Sequence, residues 1–344
     1  MLEIKHTLCP SCSVGCGLNV IINDGEIVGT FPYKRHPVNA GKNCSNGRKS
    51  IECYQNKFEK AIVSKSEVDI EKAVEEVSKE LNSADNSTVT IICSGNDNIE
   101  EIQAIREFGE SKNYNIAFYA DNLKDFGDVA SYDEVAGASK VFVIGDLLYE
   151  NPLIGRRIVH AKQNGAKIYA LGKAEKSVTF NIADETSNST VQEFLEDNKG
   201  NIDDDSVIVF NYVDSQDDLD KIDALNCKCL PVFSKSNSKG ILDIMEAKSL
   251  DEMLELLDNT KVLLVFNDDI ADEIDFDFGK ISKIISFAPC SNKTTEISDI
   301  VVPTKTWLEK DGSFVNAMGE TQTFTAAVES DLLSEMEIIE KLNG

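Results

Sequence analysis

Apolar and polar residues follow different rhythms in different parts of the chain. Over residues 1–58 the apolar runs are short and broken by Gly and Pro. Residues 18–22 and 26–30 flank Asn23-Asp24-Gly25, a tight-turn signal that predicts a β-hairpin. From Val68 the period lengthens. Residues 68–81 (VDIEKAVEEVSKEL) place apolar side chains at helical spacing with charges between them, and 89–93 is an apolar run that predicts a buried strand. The alternation repeats with a helix over about 98–112, strands at 116–119 and 140–145, a helix over about 153–164 and a strand at 167–171. A polar stretch, 184–204, separates this series from a second. That series has strands at 207–211, 229–233, 262–266 and 283–287 and helices near 215–225 and 249–258. Such alternation implies parallel sheets with helices on both faces. Residues 299–324 return to a β-rich style punctuated by Gly, and no repeat is strong enough to suggest a solenoid.

Composition narrows the class. A chain of 344 residues exceeds one comfortable core, so two or three sub-domains are expected. The 42% hydrophobic content is that of a globular protein, and no stretch approaches the roughly 20 apolar residues of a membrane helix. Sixty acidic against 34 basic residues give a formal charge of −26, which repels phosphate backbones and argues against nucleic acid as a partner. The opening MLEIKHTLCPSC has neither the apolar core nor the cleavage site of a secretion signal, so a cytoplasmic protein with reduced thiols is expected.

Against that background the placement of the nine cysteines carries information. Four of them form the spacing Cys9-x2-Cys12-x3-Cys16-x27-Cys44. Three thiolates within eight residues can wrap three corners of a cube, and a fourth from a distant loop closes it, which suits a [4Fe–4S] cluster. Gly15, Gly17, Gly41 and Gly47 permit tight turns and close approach of backbone N–H groups to sulfur. Zinc is the rival. Its structural sites usually pair two knuckles, whereas Cys44 stands alone and His36, eight residues upstream, is poorly spaced to join it.

The stretch LCPSCSVGCGLNVIINDGEIVGTFP…GKNCSNGR resembles the iron–sulfur domain that opens catalytic subunits of the molybdopterin oxidoreductase family. The branches it looks most like are the formate dehydrogenase large subunit and the B subunit of formylmethanofuran dehydrogenase. KFEKAIVSKSEVDIEKAVEEVSKEL resembles the family's entry into its first α/β domain. KVFVIGDLLYENPLIGRRIVHAKQNGAKIYAL resembles a strand, cofactor-facing loop and helix, and EISDIVVPTKTWLEKDGSFVNAMGETQ resembles a stretch that folds back toward the cluster domain. The resemblance implies an α/β protein with a small N-terminal [4Fe–4S] domain at 1–58. A first α/β domain is expected from 59–122 and 200–300, a second from 123–199, and a returning segment with a C-terminal helix at 301–344. No C-terminal pterin-capping barrel is expected.

Departures from the family pattern shape the functional expectation. Catalytic members carry a metal ligand in a long loop after the second strand of the first α/β domain; here 120–139 is short and has no cysteine. Asp121, Asp125, Asp128 and Ser131 offer oxygens there, but they read more simply as solvated loop groups. Asn46 stands where relatives place a Lys between cluster and pterin, residues 170–173 lack the acidic group that holds the cofactor's nucleotide part, and 233–237 lacks an active-site Arg. The crevice is therefore expected to be shallow or filled, molybdopterin or tungstopterin to be absent, and no catalytic residue is assigned.

Among other candidates, Cys93, Cys227 and Cys229 read as core residues, and Cys53 and Cys290 have no partner at any ligand spacing. Arg156-Arg157 can bind a pyrophosphate or pack against acidic neighbours, and His160 reads as a surface residue. The function expected is an electron-transfer subunit of a larger redox complex, as the family's relative in respiratory complex I exemplifies. Its partners are expected to be other iron–sulfur or flavin subunits, with the chain's negative charge meeting a basic partner face. The alternative is a pterin-bound Mo/W formate or formylmethanofuran dehydrogenase subunit whose cap domain is a separate chain.

Overall fold

Three strands, β1 (Leu2–Leu8), β2 (Gly17–Asn23) and β3 (Glu26–Pro32), form an antiparallel sheet in the computed structural model, which describes residues 1–120, 124–173 and 176–343. Asp24 and Gly25 both take positive φ (51° and 89°), as the tightest hairpin turns require, so the Asn-Asp-Gly signal acts as its chemistry predicts. The chain then begins a second sheet with β4 (Ala61–Val63), β5 (Ser66–Val68), β6 (Val89–Ile92) and β7 (Asn115–Ala117). It leaves to build a third from β8 (Lys140–Ile144), β9 (Lys167–Leu171), β10 (Glu185–Ser187), β11 (Ser206–Phe210) and β12 (Lys228–Pro231). It returns with β13 (Val262–Phe266), β14 (Lys283–Ala288) and β15 (Ile300–Pro303) and ends in a hairpin, β16 (Gly312–Val315) and β17 (Thr321–Phe324).

The five-stranded sheet is wholly parallel in the order β10-β9-β8-β11-β12. The seven-stranded sheet runs β5-β4-β15-β14-β13-β6-β7, with β4 and β5 antiparallel at one edge. Strands such as β13 are buried at every position because helices cover both faces. The helix Ile70–Ser83 shows why the 68–81 periodicity was informative: Ala73, Val74, Val77 and Leu81 form one buried stripe.

The expected return to the first α/β domain at residue 200 is corrected. β11 pairs with β8 and β12 with β11, so the second domain extends through Pro231 rather than ending at 199. The polar stretch 184–204 misled because it holds structure of its own, β10 and the helix Val191–Asn198. That helix sits at the surface and buries only Val191, Phe194, Leu195 and Asn198, so its sequence resembles a linker.

A second correction concerns Cys53 and Cys290, which form a disulfide across 237 residues of sequence. It joins the helix Glu52–Gln55 of the small domain to the end of β14, where Phe58 N–H also donates to the Pro289 carbonyl at 2.8 Å. No local spacing could announce a pair so distant.

The C-terminal segment is fastened by a buried ionic cluster. Lys310 Nζ lies 2.6 and 2.7 Å from the two Glu101 oxygens and 2.9 Å from Glu335, with Asp97 alongside. Burial, and then the Glu335 charge, pushes the pKa values of Asp97 and Glu101 well up. Burial alone would lower the Lys310 value, but Glu101, Glu335 and Asp97 together hold it up. Among the described residues, no helix is long and apolar enough to cross a membrane.

Candidate iron–sulfur site and the crevice beside it

Cys9 and Cys16 sit at the two ends of one loop, closed by a Cys9 N–H to Cys16 carbonyl hydrogen bond of 2.8 Å. Cys12 lies between them, and Gly15, at φ +72°, turns the chain back toward β2. Cys44 arrives separately as the cap of the helix Ser45–Lys49, where Gly47 N–H donates to its Sγ at 3.4 Å. A Cβ on Gly47 would lie 3.4 Å from Cys9 Sγ and 3.9 Å from Cys44 Sγ, so the glycine lets the helix backbone approach both sulfurs. All four thiols line one cavity, together with Asn46, Asn151 and Leu153.

The thiol set fits iron–sulfur better than zinc. Structural zinc is usually held by two paired knuckles, whereas here three thiols come from one loop and the fourth, Cys44, stands alone at a separate helix cap, the pattern that closes a cubane. His36 accepts a hydrogen bond from Gly17 N–H at 3.2 Å. Burial pushes the Cys9 thiol up, Cys12 to about 12 and Cys16 well up, so the metal-free thiols stay protonated at neutral pH. Iron must displace those protons to bind.

Distant parts of the chain hold the backbone of this loop. The Leu8 carbonyl accepts from Trp307 Nε1 (2.9 Å), Ser13 from Ala317 N–H (2.7 Å), Val14 from the Tyr132 hydroxyl (2.8 Å) and Gly15 from Gln322 Nε2 (3.2 Å). Trp307, Leu308, Phe314 and Phe324 share a core with Leu8, Val20 and Ile22. At Gly15 an added Cβ would fall 2.1 Å from Gln322 Oε1 and 2.7 Å from Asn316 Cβ. Gly15→Ala is therefore expected to cost about 1–3 kcal/mol in chemical denaturation. Its reconstituted cluster should also be lost to a chelator faster than in the parent protein.

Beside the loop, a crevice of about 420 Å³ opens between the two α/β sheets, where a shallow or filled one was expected. It lies beyond the C-terminal ends of strands from both sheets and is lined by Gly95, Tyr119, Lys173, Tyr212 and Lys235 among others, the usual position for a ligand in open parallel sheets. The loss of individual cofactor contacts did not close it, because its walls are set by the sheets. Its cations are engaged: Lys235 pairs with Asp268 (2.6 Å) and Glu273 (2.7 Å), and Lys173 lies 3.6 Å above the Tyr212 ring. Burial, then the nearby Asp268, pushes Glu273 up to about 7. Phe233, on the crevice wall, exchanges two hydrogen bonds with Ser13 of the cysteine loop, so crevice and thiol site share a boundary.

The loop residues weighed as oxygen donors do not converge. Asp125 pairs with Lys239 (2.8 Å), Asp128 with Lys228 (3.5 Å), and Ser131 caps the helix Tyr132–Gly137; Asp121 lies outside the described residues. Arg157 takes the packing role, on Asp133 (3.0 Å) and the Val38 carbonyl (3.2 Å), while Arg156 is exposed. Cys93 and Cys229 are core residues, and Cys227 is partly buried. One signal went unread. Between Ile27 and Ile51 there is no acidic residue, yet Lys34, Arg35, Lys42, Arg48 and Lys49 are all present and all exposed.

A cysteine-lined pocket in a small β domain, set on two parallel-sheet α/β domains, defines the class as an iron–sulfur redox protein. The chain belongs to the molybdopterin oxidoreductase family: residues 2–56 match the molybdopterin oxidoreductase Fe4S4 domain and residues 198–334 match the molybdopterin oxidoreductase domain. It is 31% identical over 191 residues to the alpha subunit of F420-dependent formate dehydrogenase 1 of Methanococcus maripaludis. That match covers 49% of this chain and 28% of the relative, so the chain spans less than a third of the relative's length. Acetylene hydratase from Pelobacter acetylenicus superposes with a TM-score of 0.64 at 11% identity, over 98% of this chain and 68% of that one. A chain of the formyltransferase/hydrolase complex of Methylorubrum extorquens, solved with methylofuran, superposes with a TM-score of 0.58 at 12% identity, over 82% of this chain and 97% of that one. At these identities the likenesses concern the fold alone.

Proposed function

We propose that the chain is an electron-transfer subunit of a redox assembly of the formate dehydrogenase type, working through one [4Fe–4S] cluster on Cys9, Cys12, Cys16 and Cys44. The observation that most supports this is the gathering of four thiols in one pocket, three from one clamped loop and one from a helix cap. The cluster, when bound, supplies reversible one-electron storage. The chain's own residues hold it still and adjust its charge balance. Gly47 N–H directed at Cys44 Sγ favours the more negative reduced state. The four carbonyl clamps limit how far the loop can move when that charge changes. Partners are other iron–sulfur or flavin subunits.

A second reading has one observation in its favour. The 420 Å³ crevice has room for part of a pterin-type cofactor, with Lys173 and Lys235 in its lining. Under that reading the chain is part of a Mo or W formate or formylmethanofuran dehydrogenase. Against it, Lys235 is already neutralised by two carboxylates. The test is metal analysis of the anaerobically purified native complex, with dye-linked formate oxidation assayed alongside. About four irons per chain with neither Mo nor W, and no formate turnover, is the expected result. Stoichiometric Mo or W in this chain would transfer the assignment to the second reading, and an iron-free chain would overturn both.

A further inference from the structure

The charge of this protein is unevenly distributed, and the exception surrounds the thiol site. Residues 1–60 carry eight Lys and Arg against five Asp and Glu, in a chain whose totals are 34 and 60. The small domain is thus slightly positive while the α/β body carries the whole negative excess. The asymmetry sharpens between Ile27 and Ile51, where five basic residues meet no acid. All five are exposed, and among the described residues none has an ion-pair partner, although lysines of the body such as Lys124, Lys228 and Lys239 each pair with two carboxylates.

These cations flank the fourth thiol. β3 ends at Pro32 and runs directly into Lys34 and Arg35; Lys34 packs beside Gly41, whose added Cβ would lie 3.1 Å from Lys34 Cα, which brings it next to Lys42. Arg48 and Lys49 belong to the helix that Cys44 caps, and Thr30 Oγ1 lies 3.5 Å from the Arg48 carbonyl, so this helix leans on β3. The outer face of the three-stranded sheet exposes apolar side chains beside the polar His6–Asn19 pair. Leu2, Ile4 and Phe31 lie on it, at 67%, 52% and 36% exposure, because Ile4 is opposite Ile21 and Phe31 opposite Asn19, which is itself opposite His6. A basic rim beside exposed apolar side chains is the anatomy of a docking surface.

We propose that residues 27–51 and the outer face of the three-stranded sheet dock the acidic surface of a one-electron carrier protein at the iron–sulfur site. This rests on the electron-transfer reading above and reverses, for this face, the expectation that the chain meets a basic partner. Charge decides the orientation: the negative body repels an acidic carrier while the positive cap attracts it, so encounters are steered to the end of the molecule where the thiols lie. The exchange moves one electron between cluster and carrier, one oxidised as the other is reduced, with no bond made or broken. A basic carrier would be drawn to the body, away from the site.

The experiment uses the full chain reconstituted anaerobically with iron and sulfide, and two probes, an acidic plant-type ferredoxin and a basic cytochrome c. Binding is measured near 50 mM and 300 mM salt for the parent protein and for the triple variant Lys34→Glu, Arg35→Glu, Lys49→Glu. Ferredoxin binding is expected to weaken by about tenfold or more in the variant, and similarly with added salt, as screening requires. Cytochrome c binding should be unchanged or tighter in the variant. Hydrogen exchange on the parent protein with ferredoxin should show protection over 27–51, which keeps the test decisive if the variant folds poorly. No ferredoxin binding at low salt, an affinity that the variant leaves within twofold, or protection confined to the α/β body would overturn the proposal. Iron content is measured on the same samples, so loss of the cluster assignment and loss of the docking assignment are told apart.

Discussion

Cys12→Ala is expected to remove the broad absorption near 400 nm and leave well under half of the iron that the parent chain binds. Cys12 stands between Cys9 and Cys16 in the loop, and burial has already raised its thiol to about 12, so nothing but a metal makes its thiolate favourable. The packing consequence is local. Cys9, Val14, Cys16 and Leu18 belong to one hydrophobic cluster with Tyr132 and Ala317, so a loop without its cluster loosens contacts with both α/β domain and C-terminal segment. The clamps at Leu8, Ser13, Val14 and Gly15 remain, and the parallel sheets are untouched. Denaturation should therefore show an early transition in residues 1–58 and an unchanged one for the body. A Cys12→Ala protein that keeps four irons per chain and the absorption band would remove Cys12 from the ligand set.

Lys310→Met should be the most damaging single change away from the thiols, at about 3–5 kcal/mol. Its ammonium is the cation among Asp97, Glu101 and Glu335, which are 0–1% exposed, and among the described residues Asp97 Oδ2 and Glu335 Oε1 find no hydrogen-bond partner even with Lys310 in place. Without it, three buried carboxyls must take up protons or pull water inward. The sign with pH follows. Asp97 and Glu101 have folded-state pKa values above their unfolded ones, so the stability they permit is present at low pH and lost as pH rises through the folded values. The variant's deficit should therefore be smaller at pH 5 than at pH 8 in urea unfolding. Adding Glu101→Gln should recover part of it. A deficit below about 1 kcal/mol at pH 8 would mean that Lys310 is a bystander.

The sequence made the strand–helix alternation readable because buried parallel strands and one-striped helices leave strong periodic patterns; β9 and β13 fall where their apolar runs do. The segment Val191–Asn198 was missed for the opposite reason, since a helix that buries one narrow edge has the composition of a linker. At the site, cysteine spacing was legible because a metal fixes its ligands tightly in sequence and space. The Cys53–Cys290 pair, the Lys310 cluster and the crevice were not, for each is made by residues that only the completed topology brings together. The acid-free run from 27 to 51 was visible throughout. It went unread because a net charge of −26 describes a sum, and docking responds to a local field.

The cysteine loop lies within the first 16 residues, yet Trp307, Ala317 and Gln322 are what hold its carbonyls. On a ribosome the thiols therefore emerge long before their supports, and for most of translation they hang from a hairpin that cannot yet fix their spacing. Contacts this distant in sequence also close slowly. An iron–sulfur assembly factor would accordingly meet either an open, reactive loop early or a finished pocket late. The raised thiol pKa values belong only to the finished one. Pausing synthesis before residue 307 and probing Cys12 with a thiol reagent would show rapid labelling, and release of the full chain should slow it sharply.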